Sequence, residues 1–176
     1  MRSLLIIGLF FSAPLSVISQ NSERPYQYTI DLTRVVDDKL YVELIPPAVK
    51  EKDITFYFPK IVPGTYSIAD YGRYVSEFRA LDKKGKELPV TKTDENSWKI
   101  EKANKLSKIT YWVDDTWDTK VQGPEIFWPA GTNIEANENY VINTSGFFGY
   151  FEGLKEPDFQ LNIVRSKNLY GSTGLI

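Results

Sequence analysis

The chain contains no histidine and no cysteine. Zinc in proteins is held almost always by imidazole or thiolate, with carboxylate as a supplement, so a catalytic zinc site with an open position is excluded from these residues. A serine nucleophile loses the histidine base of the usual triad for the same reason. Without cysteine there are no disulfides and no thiol for a lipid at a processed N-terminus. Long apolar runs are also scarce. The longest, residues 4–11, is shorter than the roughly 20 residues a membrane helix needs and is followed by Ser12, Pro14 and Ser16. Neither sign of charge dominates: the formal net charge is −2, with no basic stripe and no arginine-rich run. That argues against nucleic acid as a partner. The densest basic spot, Lys83-Lys84-Gly85-Lys86, is explained by a solvated hairpin turn.

The first residues have the form of an export signal: Arg2, the apolar run, and Val17-Ile18-Ser19 as a small-residue exit. Cleavage is expected before Gln20, giving a signal peptide over residues 1–19 and a single domain over residues 20–176. A periplasmic or extracellular product, free of the membrane after cleavage, is the expectation. The remaining length is enough for one core that is stable without cross-links.

What is present is alternation. Tyr26-Tyr28-Ile30-Leu32, Leu40-Val42-Leu44 and Ile109-Tyr111-Val113 each place apolar residues at period two, the mark of half-buried strands. Turn residues separate them at short intervals, at Asp37-Asp38, Pro46-Pro47, Asp94-Glu95-Asn96 and 137–139. The fold class that follows is mainly β, an antiparallel β-sandwich. Asp82-Lys83-Lys84-Gly85-Lys86 predicts a hairpin joining residues 78–81 to residues 87–90, with Gly85 at positive φ. Further strands are predicted over residues 54–58 and 159–165. One short helix or turn is predicted over residues 67–76, where Ile68, Tyr71 and Val75 fall at helical spacing. Residues 121–138 lack a regular pattern and read as a long connection, ordered by Phe127 and Trp128.

Between the strand at 54–58 and the helical turn lies Pro63-Gly64-Thr65-Tyr66. Proline fixes φ and glycine adopts conformations closed to other residues, so Pro63, Gly64 and Thr65 define a tight corner out of the sheet. Tyr66 then either packs as a lid on the core or, with Arg73, serves a binding surface. Asp114, Asp115 and Asp118 are the best cation candidates, as calcium takes several oxygens from a flexible loop; a solvated strand end explains them equally. Trp98, Trp112, Trp117 and Trp128 supply faces for sugar rings, for a neighbouring domain, or for the core. Alternation turns Trp112 to the outer side of its strand. Asn143 suits a turn or a buried amide bridge between strands.

Residues 58–75, the run from Ala80 to Val90 and Asn96-Ser97-Trp98 together resemble the N-terminal domain of the glycyl aminopeptidase family of zinc metallopeptidases. The family's order is a Pro-Gly-Ser/Thr-Tyr turn, an aromatic-rich helix, a strand ending in an Asp-x-x-Gly-Lys hairpin, and a polar run before tryptophan. Residues 140–148 and Tyr150-Phe151-Glu152-Gly153 resemble the family's asparagine-centred segment and the strand after it. Ala69 departs from the pattern, where many relatives carry a charged residue.

The resemblance implies a non-catalytic β-domain, catalytic residues none, belonging to an exported zinc aminopeptidase. Zinc, with the His-Glu-x-x-His motif, is then expected in the catalytic domain of the parent protein and not here. That domain is the implied partner, with peptide substrate reached through the parent, and the chain is expected to be the excised or truncated N-terminal region. Tyr66, Tyr71 and Arg73 are the residues expected to face the substrate cleft, where hydroxyl and guanidinium groups orient a peptide backbone or carboxylate. The alternative is a free-standing exported glycan- or peptide-binding sandwich module.

Overall fold

The computed structural model describes residues 24–174; the expected signal peptide lies outside them. Among the described residues eleven strands are formed: β1 (Tyr26–Val36), β2 (Lys39–Ile45), β3 (Asp53–Tyr57), β4 (Val75–Asp82), β5 (Val90–Asp94), β6 (Ser97–Glu101), β7 (Leu106–Asp114), β8 (Asn133–Glu135), β9 (Asn139–Val141), β10 (Tyr150–Phe151) and β11 (Phe159–Val164). One sheet has the order β11-β1-β2-β7-β4, a second the order β10-β3-β6-β5, and β8-β9 is a separate hairpin. All pairs are antiparallel except β1 with β11. The protein is therefore mainly β with a sandwich-like arrangement of sheets, as the alternation requires.

Alternation sets the core directly. Tyr26, Tyr28, Ile30 and Leu32 of β1, Leu40, Val42 and Leu44 of β2, and Ile109, Tyr111 and Val113 of β7 are buried. They meet Ile54 and Phe56 of β3 and Trp98 and Ile100 of β6 from the second sheet. A buried phenol needs a partner for its hydroxyl, and the three buried tyrosines of this core each find one outside the sheets. Tyr26 donates to the Leu154 carbonyl at 2.7 Å, Tyr28 to Gly149 at 2.7 Å and Tyr111 to Phe147 at 2.5 Å. These bonds stitch residues 147–154 across the open side of the core. Burial pushes the Tyr26 hydroxyl up to about 12 and those of Tyr28 and Tyr111 well above their ordinary range.

Three local outcomes differ from the sequence pattern. The helical stretch at 67–76 shrinks to a single 3-10 turn, Tyr71–Tyr74, and Val75 already opens β4. The cause is backbone conformation: Asp70 (φ 48°), inside the stretch, is left-handed and interrupts a right-handed helix. The predicted strand at 87–90 divides between sheets, because Glu87 bridges Leu81 and Leu88 donates to the Ala80 carbonyl before Val90 enters β5. The stretch 121–138 contains a 3-10 turn, Trp128–Ala130, and β8. The β8-β9 hairpin is too short for its period to register in the sequence.

Asn143 caps the single-turn helix α1 (Thr144–Phe147), its side chain accepting from the Ser145 N–H at 2.9 Å. Of the two roles open to it, the turn is the one formed. Trp112 lies on the outer side of β7, half-buried against Tyr41 with ring centroids 5.1 Å apart.

Candidate functional site

The corner grows out of β3. Past Tyr57, the Phe58 N–H is held by the Asn96 carbonyl at 2.9 Å, and the chain leaves the sheet through Pro59. Val62 to Thr65 form a tight turn: the Thr65 N–H and hydroxyl both donate to the Val62 carbonyl, at 3.2 and 2.8 Å. Proline then precedes a glycine at φ 94°, the combination a type II turn calls for. The loop closes on itself, because the N–H groups of Ala69 and Asp70 both donate to the Lys60 carbonyl, at 2.9 and 3.0 Å. Left-handed Tyr66 sits at its tip with 97% of its surface exposed.

A second loop is fastened to this corner. The Arg73 guanidinium donates to the carbonyls of Ala69 (3.1 Å), Gln122 (3.1 Å) and Pro124, and lies 4.7 Å from the centre of the Tyr74 ring. Gly123, at φ 133°, leaves room for it, since a side chain there would occupy the space the guanidinium fills. Tyr71 is buried and donates its hydroxyl to the Ala130 carbonyl at 2.6 Å, and burial raises its pKa. Ala69, Tyr71, Tyr74 and Ile126 make a small apolar core of their own beneath the two loops.

Asn96 ties this assembly to the β5-β6 turn. Its side chain accepts from the Gly72 N–H at 3.0 Å and donates to Asp70 at 2.8 Å. On the far side Asp115 is the anchor. Buried, it accepts from the N–H groups of Trp117 (2.6 Å), Ile134 (2.5 Å) and Asp118 (3.4 Å). Desolvation pushes its carboxyl up, and the backbone donors oppose that shift. Asp114 is raised by burial as well, against the pull of Lys39 at 3.6 Å.

The result is a rigid base displaying apolar groups to solvent. Tyr66, Ile68, Ile61, Phe127 and Trp128 are all exposed, and Trp128 stacks on Trp117 with centroids 5.0 Å apart and planes 19° from parallel. The Trp128 indole N–H donates to Glu125 at 3.2 Å. A shallow cavity of about 400 Å³, lined by Ser67, Glu125, Ile126, Phe127 and Trp128, joins the two loops. These exposed aromatics make the two loops the candidate interaction surface of the domain.

Of the residues expected to face a cleft, the structure brings Tyr66, Tyr71 and Arg73 into one cluster and gives them different work. Tyr66 is free at the tip; Tyr71 and Arg73 spend their polar groups on backbone carbonyls that hold the loops. Phe127, Trp128 and Asn96 complete the cluster without having been singled out as its members. The visible signals were the aromatics in an otherwise unpatterned stretch and the polar run before Trp98.

The cluster holds no imidazole or thiol, and the chain supplies none. Among the described residues no group of three histidine, cysteine, aspartate or glutamate side chains is arranged to hold a metal. The Asp115 carboxylate is taken up by backbone N–H groups and Asp114 faces Lys39, so the Asp114, Asp115 and Asp118 trio does not converge. The residues present do not fit zinc.

A family model described as the Peptidase M61 N-terminal domain matches residues 27–176. Among solved structures, the chain is similar to an aminopeptidase N family protein from Idiomarina loihiensis, with 20% identity and a TM-score of 0.58. The match covers 79% of this chain and 22% of that one, so the chain spans about a fifth of the length of that relative. At that identity the likeness speaks for the fold. No curated protein matches the chain.

Proposed function

Because the chain belongs to the Peptidase M61 N-terminal domain family, we propose that it is the non-catalytic β-domain of an exported zinc aminopeptidase. It packs on a catalytic domain of the same polypeptide and turns the Tyr66 corner toward that domain's substrate cleft. The observation that carries the reading is the set of exposed apolar residues Tyr66, Ile68, Phe127 and Trp128 on two adjoining loops, held by the Arg73 guanidinium and by buried Asn96 and Asp115. Preorganised anchors of this kind lose little entropy when a partner or a peptide covers them.

The division of labour follows from chemistry. Metal, activated water and general base belong to the catalytic domain, and this chain contributes shape, a phenol, an indole and the Glu125 carboxylate. A peptide main chain or apolar side chain is the ligand class such groups meet. The Arg2 start and the apolar run at residues 4–11 support export.

The test is an assay of peptide hydrolysis with added zinc, on the chain alone and on the polypeptide that joins it to its catalytic domain. Hydrolysis is expected only from the joined form. Zinc-dependent cleavage by the chain alone would overturn the assignment.

One observation favours a second reading, a module that binds glycan or peptide by itself: the outer face of Trp128, stacked on Trp117, is open as a sugar platform would be. Under that reading, glycan binding by the chain alone disappears in Trp128→Ala and Trp117→Ala variants that keep their fold. Under the first reading no glycan is bound.

A further inference from the structure

A peptide main chain or an apolar side chain leaves one group of the corner without a counterpart, the Glu125 carboxylate. Granted that the corner faces a peptide, we propose that the cavity between its two loops is a subsite for an arginine side chain. The guanidinium lies on the open face of Trp128 and donates to Glu125. The cavity measures about 400 Å³ and is lined by Ser67, Glu125, Ile126, Phe127 and Trp128. Of these only Ile126 is buried.

The carboxylate is held where a cation would meet it. One Glu125 oxygen accepts from the Trp128 indole N–H at 3.2 Å, which pins the anion at the edge of the ring. The other makes no hydrogen bond among the described residues, and neither has a lysine or arginine within ion-pair distance. Trp128 is fixed in turn. One face of its ring stacks on Trp117 at 5.0 Å, and the Trp117 indole N–H donates to the Trp128 carbonyl at 3.2 Å. The 3-10 turn that follows closes with the Ala130 N–H on the Phe127 carbonyl at 2.7 Å. Trp128 and Phe127 keep more than half of their surfaces in solvent. On the facing loop the Ser67 hydroxyl is also without a hydrogen bond among the described residues.

Charge and π surface together select the ligand. An anion beside aromatic faces attracts an organic cation, through its own charge and through the ring quadrupole. One carboxylate and one hydroxyl fall short of the oxygen shell that calcium takes. Between the basic side chains, a planar guanidinium stacks on an indole and still offers N–H groups to a carboxylate, whereas an ammonium is a strongly hydrated point charge. Apolar walls at Ile126 and Phe127 suit the aliphatic stem. The chain's own Arg73 does not fill the cavity: it is not among the lining residues, and its donors go to the carbonyls of Ala69, Gln122 and Pro124.

The experiment is NMR of the chain alone, following its backbone and indole N–H resonances during titration with Nα-acetyl-arginine amide, in which the guanidinium is the only charge. Saturable shifts are expected at the Trp128 indole and at the amides of residues 67 and 125–128. Three further probes separate the sources of such a response. Nα-acetyl-lysine amide should bind about threefold more weakly. The neutral isostere Nα-acetyl-citrulline amide, and glycinamide with only an α-ammonium, should give no saturable shift. Glu125→Gln keeps an acceptor for the Trp128 N–H and removes the charge. The loop should then stay in place while affinity for the arginine amide falls about fivefold, the upper end for one exposed pair. No catalytic domain is needed for this readout, so it is separable from kinetics that test whether the corner faces a cleft. Binding here, with unchanged kinetics for corner variants of the joined polypeptide, supports the subsite and counts against the cleft. Absence of a saturable shift with the arginine amide overturns the subsite. So does equal affinity for the lysine, citrulline or glycinamide probe, or a Glu125→Gln chain that binds as tightly as wild type.

Discussion

Gly72→Ala is expected to lower the stability of the domain by about 3 kcal/mol or more, at the upper end of what adding one methyl group to a packed site costs. The φ of Gly72 is not the reason. A Cβ at this position would overlap the Glu95 carbonyl oxygen and lie 2.7 Å from the Asn96 Cα. Both obstacles are backbone, in a turn already fixed by the Asn96 N–H donating to Asp94 at 2.8 Å, so neither yields cheaply. Moving the chain away would also stretch the Gly72 N–H bond to Asn96. Urea unfolding measures the effect: the midpoint should fall with the slope unchanged. Gly64→Ala is the contrasting case. Its φ of 94° carries strain, but nothing lies within 4 Å of the added atom, so a loss of about 1 kcal/mol is expected. Equal losses at the two glycines would mean that the close approach of the corner to the β5-β6 turn is wrong.

Asn96→Ala is expected to cost about 2–4 kcal/mol, because it leaves the Gly72 N–H without its acceptor and the Asp70 carboxylate without its donor. Asn96 is buried, so water replaces neither bond easily. The consequence reaches the loops. Asp70 opens the turn that carries Tyr71 and Arg73, and those two hold residues 122–130. Hydrogen exchange should therefore quicken at residues 60–73 and 117–131 while the β2-β7 ladder keeps its protection. Uniform loss of protection would show that the corner is not a separable unit. A double-mutant cycle with Asp70→Ala isolates the pair, and a coupling near zero would remove Asn96 from its place as the clamp.

Period-two alternation in β1, β2 and β7 was enough to read the sandwich, because each strand has one face on the core and a one-residue slip would expose the whole apolar set. The Pro63-Gly64 corner was legible because proline and glycine have narrow, known backbone uses. The helical stretch after it was not legible. Ile68 and Val75 sit at helical spacing, yet the N–H groups of Ala69 and Asp70 donate to the Lys60 carbonyl and Asp70 is left-handed. Such long-range bonds leave no periodic trace. Arg73 illustrates the same gap for the candidate site: a guanidinium near a corner reads as a ligand-binding group, whereas its partners prove to be carbonyls some fifty residues further along the chain. Conversely, Phe127 and Trp128 stood out in the sequence as ordering a loop, and only the fold shows that their loop meets the tip bearing Tyr66.

The most direct measurement is the kinetics of peptide hydrolysis by the polypeptide that carries this domain with its catalytic domain, comparing wild type with Tyr66→Ala and Trp128→Ala. Neither side chain belongs to a buried core cluster, so both variants should stay folded, Tyr66→Ala with little change in melting temperature and Trp128→Ala with the modest loss of its stack on Trp117. If the corner faces the cleft, kcat/KM should fall about tenfold or more, the loss of roughly 1.4 kcal/mol of transition-state binding. Kinetics identical to wild type in both variants would contradict the account.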